Sequence, residues 1–285
     1  MRWQGGRESN NVEDYRGQRF GGTGLRLGVG GTLIALVAGY FLGIDPRVIL
    51  GLVQSVPETT EQQGTPVTGV PNDPQGRFIA VVLAETEDTW SNIFQANGAT
   101  YTPPKLALYT GRMPTACGLG QAAAGPFYCP QDRKVYLDLE FFNELSTQFQ
   151  APGEFARAYV IAHEVGHHVQ TLLGTEAKVR AAQERVSQIE QNRLQISMEL
   201  QADCFAGVWA KHTDQAQHFL EQGDIDSALR AAASVGDDTI QKRTQGYVVP
   251  DSFTHGTAAQ RTQWFKAGFD SGSVQACNTF ANGAT

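Results

Sequence analysis

The sequence predicts an α+β protein, mostly helical with a small mixed sheet, carrying one N-terminal transmembrane helix. Three observations lead there. Residues 27–44 include no charged side chain. Long stretches, notably 78–94 and 155–172, space their apolar residues as a helix does. Two short stretches, 105–109 and 135–142, are rich in β-formers, and the second alternates around Asp138 and Glu140. The chain's 285 residues hold one sizeable domain with extensions. A net charge of −7, with no basic cluster in the bulk of the chain, speaks against nucleic acid as a partner.

Taken in order, residues 1–24 are polar and rich in Gly, Arg and Asn, which predicts a disordered tail. The apolar run lies within a predicted membrane helix at 25–44. At about 1.5 Å per residue its charge-free part spans roughly 27 Å, close to a bilayer's hydrocarbon core. Arg2, Arg7, Arg16, Arg19 and Arg26 outnumber Glu8, Glu13 and Asp14. That bias predicts a cytoplasmic N-terminus, a single-pass inner-membrane protein and a catalytic domain in the periplasm or outside the cell. A cleaved signal peptide is the rival reading, and the run lacks a small-x-small site at its end. Gly39 and Gly43 form a G-x-x-x-G pair suited to helix pairing. Residues 45–75 read as a flexible linker rich in Thr, Gly and Pro, and the folded domain is expected at 76–285.

Within that domain, 78–94 reads as a helix stopped by Asn97-Gly98. The stretch 105–109 is a short strand. A glycine-rich loop follows, with Cys117 and Cys129 at its two ends. In an oxidising compartment these two should pair and reduce the entropy of the loop. The stretch 135–142 is the clearest strand and a candidate for an exposed edge on which an extended peptide could lie; an ordinary core strand is the competing reading. Pro152 and Gly174 bracket the next helix, as Pro near a first turn and Gly past a last turn do. Residues 176–192 read as a charged helical arm, and 217–234 as an alanine-rich helix–turn–helix. His168, His212 and His218 have no partner pattern and read as structural or surface residues.

The helix bracketed by Pro152 and Gly174 contains His163-Glu164-Val165-Gly166-His167. Residues four apart lie on one helix face, so His163 and His167 can offer two imidazole nitrogens to one metal ion. Glu164 is rotated about 100° from His163 and sits beside the metal, where it can hold and deprotonate a water. That division of labour is the zincin metallopeptidase pattern, and the predicted domain is zincin-like. A catalytic zinc takes three protein ligands and keeps one open position. Glu199 and Asp203, again four apart, supply the candidates downstream: Glu199 as third ligand, Asp203 as partner of a ligand histidine's far nitrogen. One Zn²⁺ per chain is the expected cofactor.

A tetrahedral intermediate needs a hydrogen-bond donor for its oxyanion. His255, in a loop beside Gly256, is the candidate, with Tyr247 a weaker one. Cys277 can pair with Cys204, which would tie the C-terminal tail to the Glu199 helix.

With these stretches in view, the chain resembles the bacterial "putative neutral zinc metallopeptidase" family, the YpfJ-like proteins. The matching stretches are Met1-Arg2-Trp3 with the apolar segment after it, Thr115-Ala116-Cys117-Gly118 through Cys129-Pro130, Val135-Tyr136-Leu137-Asp138, the H-E-x-x-H helix, Glu199-Leu200-Gln201-Ala202-Asp203-Cys204, and Ser252-Phe253-Thr254-His255-Gly256-Thr257. They run over nearly the whole chain. The resemblance implies a membrane-anchored, zinc-dependent peptidase with a gluzincin-like core, acting on a peptide or protein; it supplies no particular substrate. The reading from another class is a non-catalytic, membrane-tethered scaffold or binding protein with a structural or vestigial zinc site. A third is hydrolysis of a non-peptide amide at the same centre.

Overall fold

The computed structural model describes residues 1–18, 65–121 and 125–281. Residues 1–17 and 66–281 belong to one compact unit. Its first long element is α1 (Pro74–Ala96). Asp73 caps it by accepting the Gly76 N–H at 2.9 Å, Pro74 stands in its first turn, and Asn97 ends it. Residues 78–84 are buried without a polar face, so α1 is a core helix rather than a surface one.

Beside α1 lies a five-stranded mixed sheet built from β1 (Val12–Asp14), β2 (Val67–Thr68), β3 (Lys105–Tyr109), β6 (Phe127–Cys129) and β7 (Lys134–Asp138), in the order β2-β1-β3-β7-β6. β1, β3 and β7 are mutually parallel along the ladder, and β2 and β6 close it antiparallel. The register Leu106↔Val135 and Leu108↔Leu137 places the most apolar residues at the centre of the sheet. Strands so placed are buried on both faces and lose the alternation of a half-exposed strand. A separate hairpin, β4 (Arg112–Thr115) with β5 (Gly118–Gln121), carries the Cys117 turn.

The expected strand at 135–142 is shorter than its β-formers suggest. The Asp138 carboxylate accepts the Gly111 N–H at 2.6 Å and the Glu140 N–H at 2.9 Å. The chain turns there into α2 (Glu140–Thr147), which buries Phe141, Phe142 and Leu145. β7 pairs on both sides, so of the two readings it is the core strand and not the exposed edge. β6 holds the edge of the sheet instead.

The remaining chain is helical: α3 (Glu154–Leu172), α4 (Thr175–Gln183), α5 (Gln188–Gln217), α6 (Asp224–Ser234), α7 (Asp237–Gln245) and α8 (Ala258–Ser271), followed by a 3-10 turn at Val274–Cys277. The charged arm is therefore two pieces, α4 and the first turns of α5, with Ser187 capping the second. Glycines set the spacing of the inner helices. A methyl at Gly166 of α3 would sit 3.0 Å from the Ala202 carbonyl oxygen of α5. Methyls at Gly207 of α5 and Gly268 of α8 would collide with the facing backbone, at the Phe265 and Cys204 carbonyls.

The N-terminal expectations need correction. The predicted transmembrane helix at 25–44 lies outside the described residues, and among the described residues no helix is long and apolar enough to cross a membrane. The flanks supply the physical reason. A single crossing would put the residues before and after the segment on opposite sides of a bilayer. Here Asp14 pairs with Val67 and Glu13 with Thr68 across adjacent strands. Nor are residues 1–17 a loose tail. Met1 is buried, its ammonium lying 2.9 Å from Glu221 and 3.0 Å from Asp224. Trp3 packs edge-on against Phe78 at 5.4 Å. Of the arginines that suggested a cytoplasmic end, Arg7 pairs within the fold with Glu87 and Asp88, and Arg16 with Asp14 and Asp73. The single-pass inner-membrane topology with a cytoplasmic N-terminus does not hold.

Close helix contact makes a direct prediction. Gly268→Ala should cost about 2 kcal/mol or more, as overpacking against backbone does. The urea midpoint should fall by the corresponding amount with an unchanged slope.

Candidate metal centre

The centre is assembled from α3, α5 and α8, with a loop after α7 at its rim. On α3, His163, Glu164 and His167 face a cleft of about 560 Å³. The two imidazole rings stand perpendicular with centroids 4.8 Å apart. Glu199 reaches in from α5. Its Oε2 lies 3.2 Å from His163 Nε2 and 3.6 Å from His167 Nε2. The three ligand atoms all fall within 4.8 Å of one another. Tetrahedral zinc with bonds near 2.05 Å separates its ligand atoms by about 3.3 Å, so the donor set and its spacing fit that ion. Among the described residues this is the group able to hold a metal, and it has three members. A structural staple wants four protein ligands.

Each histidine has its other ring nitrogen committed. His163 Nδ1 lies 2.9 Å from Asp203 Oδ1, and His167 Nδ1 lies 2.8 Å from Gln170 Oε1. With Nδ1 donating to an oxygen, Nε2 keeps a free lone pair for a cation. Asp203 is fully buried and gathers several donors. The Tyr159 hydroxyl and Arg261 Nη2 donate to Oδ1, and Arg261 Nε donates to Oδ2 at 2.8 Å. Glu199 Oε1 accepts from Gln195 at 2.9 Å.

These contacts explain the electrostatics. Burial alone would raise the Asp203 carboxyl, but Arg261 and His163 outweigh it and hold it at about 2. Burial would lower His163, yet Asp203 and Glu199 raise it to about 10. Together the carboxylates favour a positive charge at this point, whether a proton or a metal cation. Burial raises Glu164 against the opposing pull of His163 and His167.

His255 lines the same cleft from the loop after α7. Its Nδ1 is 3.2 Å from Asp237 Oδ1, while Asp237 Oδ2 accepts the backbone N–H groups of Thr254, His255 and Gly256 at 2.7, 2.6 and 3.0 Å. The Asp237 hydrogen bond raises His255 against burial, which favours the donor form of the ring. Tyr247 is 63% exposed and does not line the cleft. The cysteines form two disulfides, Cys117–Cys129 and Cys204–Cys277, with Cα separations of 5.8 and 5.5 Å.

Sequence reasoning missed Tyr159, Gln170, Arg261 and Asp237. Tyr159 lies one turn before His163, and Gln170 lies one turn after His167, so helical spacing could have found them. Arg261 and Asp237 reach the site only through the tertiary fold. His168 is structural, as expected: it is buried between the Thr102 carbonyl and the Tyr128 hydroxyl.

Comparison with known proteins bears on this geometry. The family described as "Putative neutral zinc metallopeptidase" matches residues 1–280. The "Uncharacterized protein YpfJ" of Escherichia coli K12 is 53% identical over 289 residues, covering 98% of this chain and 99% of that protein. The "Uncharacterized protein Rv2575" of Mycobacterium tuberculosis is 37% identical over 254 residues, covering 84% of each chain. No solved structure matches.

Purified protein should carry close to one zinc per chain by elemental mass spectrometry, and His163→Ala should abolish it. Asp203→Ala should weaken zinc about 10- to 100-fold in a chelator competition, as loss of a ligand's hydrogen-bond partner does.

Proposed function

Because the chain belongs to the family described as "Putative neutral zinc metallopeptidase", we propose that it hydrolyses peptide bonds at the centre formed by His163, His167 and Glu199. The observation that supports this best is the convergence of three ligand atoms, Glu164 and His255 on one open cleft.

In this mechanism His163, His167 and Glu199 hold zinc. When bound, zinc supplies a Lewis acid and brings the pKa of a water towards neutrality. Glu164 accepts a proton from the attacking water as its oxygen bonds to the scissile carbonyl carbon. The same carboxyl then gives that proton to the amine as the C–N bond breaks. Burial raises the Glu164 carboxyl, which suits a group that must act first as base and then as acid. His255, steadied by Asp237, donates to the oxyanion. Asp203, Arg261 and Tyr159 keep the His163 ring in place.

A peptide is the best-supported substrate. β6 has one strand partner among the described residues, and Phe127 and Tyr128 from it line the cleft. An extended chain can add to such an edge. Phe141, Phe149, Val160 and Ile240 line the cleft as well, a wall suited to a large apolar side chain near the scissile bond.

Glu164→Gln should abolish peptide cleavage while leaving zinc content unchanged, read by mass spectrometry of a digested peptide library. A Gln variant that cleaves normally would overturn the mechanism. His255→Ala should lower kcat about 10²- to 10³-fold, the usual cost of an oxyanion donor.

A further inference from the structure

The two histidines of the centre are steadied by different chemistry. His163 faces a carboxylate that Arg261 compensates. His167 faces a neutral amide, and that amide is one end of a chain. Gln170 Oε1 lies 2.8 Å from His167 Nδ1. Gln170 Nε2 donates to the Met198 carbonyl at 2.7 Å and to Gln201 Oε1 at 3.1 Å. Gln201 Nε2 donates to the Cys277 carbonyl at 2.9 Å. Cys277 is joined to Cys204, the residue after Asp203 on α5. Gln170 and Cys277 are fully buried and Gln201 nearly so, so water offers these groups little alternative.

A primary amide can sit either way round, and its hydrogen-bond partners decide which. The Cys277 carbonyl only accepts, so Gln201 must turn its NH₂ towards it and its oxygen towards Gln170. Gln170 then faces two acceptors, Gln201 Oε1 and the Met198 carbonyl. Its NH₂ must point at them and its oxygen at His167. That oxygen demands a proton on His167 Nδ1, which leaves Nε2 with its lone pair towards Glu199. Reversal of the chain would set amide oxygen against carbonyl oxygen twice in a buried space, Gln201 against Cys277 and Gln170 against Met198. It would also put the His167 proton on Nε2, where a metal ion would have to bind.

We propose that Gln170, Gln201 and the disulfide-held Cys277 are positioning residues for His167. The C-terminal tail sets the direction of a two-glutamine relay, and the relay fixes the tautomer in which His167 can ligate. This inference rests on the metal-centre reading above. The Thr279 hydroxyl also ties the tail to α5, donating to the Ser197 carbonyl at 2.6 Å, but it takes no part in the relay. It provides a control for general loosening of the tail.

The test uses the full chain and zinc ion. Zinc affinity is measured by chelator competition for the parent, His163→Ala, Gln170→Met, Gln201→Met and Thr279→Val. Nitrogen NMR of the zinc-free parent, at a pH where the ring is neutral, reads the His167 tautomer. We expect the Nδ1–H tautomer in the parent. We also expect zinc affinity to weaken about 10- to 100-fold in Gln170→Met and Gln201→Met. Thr279→Val should lower the melting temperature and leave zinc affinity within about twofold, as the loss of a contact outside the relay should. An Nε2–H tautomer in the parent would overturn the relay whatever the variants do, including any that fail to fold. Parent-like zinc affinity in both glutamine variants, or an equal loss in Thr279→Val, would overturn it as well. Failure of the parent to bind zinc, or binding that survives His163→Ala, would instead sink the metal-centre reading.

Discussion

The buried Asp203 carboxylate is the point on which the interior depends. It takes hydrogen bonds from Tyr159 and His163 of α3 and from Arg261 of α8, and it is itself part of α5. Three helices that share no sequence neighbourhood are thereby tied to one pair of oxygens. Removing one partner from such a pair strands a buried charge and costs about 3–5 kcal/mol. Close approach of the helices makes the arrangement possible. Gly166 faces Ala202 across the α3–α5 contact, and Gly207 and Gly268 do the same for α5 and α8. A larger residue at Gly166 would push α5, and Glu199 with it, away from His163.

From that core the cleft acquires two kinds of boundary. One is rigid, made of α3 and α5. The other is built from shorter pieces: the β6 edge, pinned by Cys117–Cys129, and the loop carrying His255, pinned by Asp237. Asp237 spends one oxygen on three successive backbone N–H groups and the other on the imidazole. The loop is thus shaped by the same group that orients the His255 ring. Glu176 and Arg180 of α4 also line the cleft, so the charged arm borders the site rather than standing apart from it.

What could be read from sequence follows the range of the interactions involved. The cluster of His163, His167 and Glu199 was legible because His163 with His167, and Glu199 with Asp203, are spaced by one helical turn, and local spacing survives folding. α1 and β3 were legible for the same reason, since their ends carry Asn97 and dense β-formers. Arg261 and Asp237 were not legible: in sequence each is one charged residue among many, and only packing of α8 and α7 brings it to the centre. β7 was left between an edge and a core strand, because its position in the sheet depends on pairing with β3 and β6. The largest misreading was at the N-terminus. Charge bias there resembled a membrane flank because the acids that neutralise Arg7, Glu87 and Asp88, lie far along the chain.

The placement of β1 has a consequence for the order in which the fold is completed. β1 runs parallel to β3 and lies between it and β2. Met1 closes on Glu221 across a separation of 220 residues. Contacts so distant in sequence carry the highest loop-closure entropy and are rewarded only after their partners are in place. The hydrogen bonds around Asp203, by contrast, draw only on residues between Tyr159 and Arg261. Loop-closure entropy thus favours late insertion of residues 1–17, a keystone set into a sheet whose neighbours already stand.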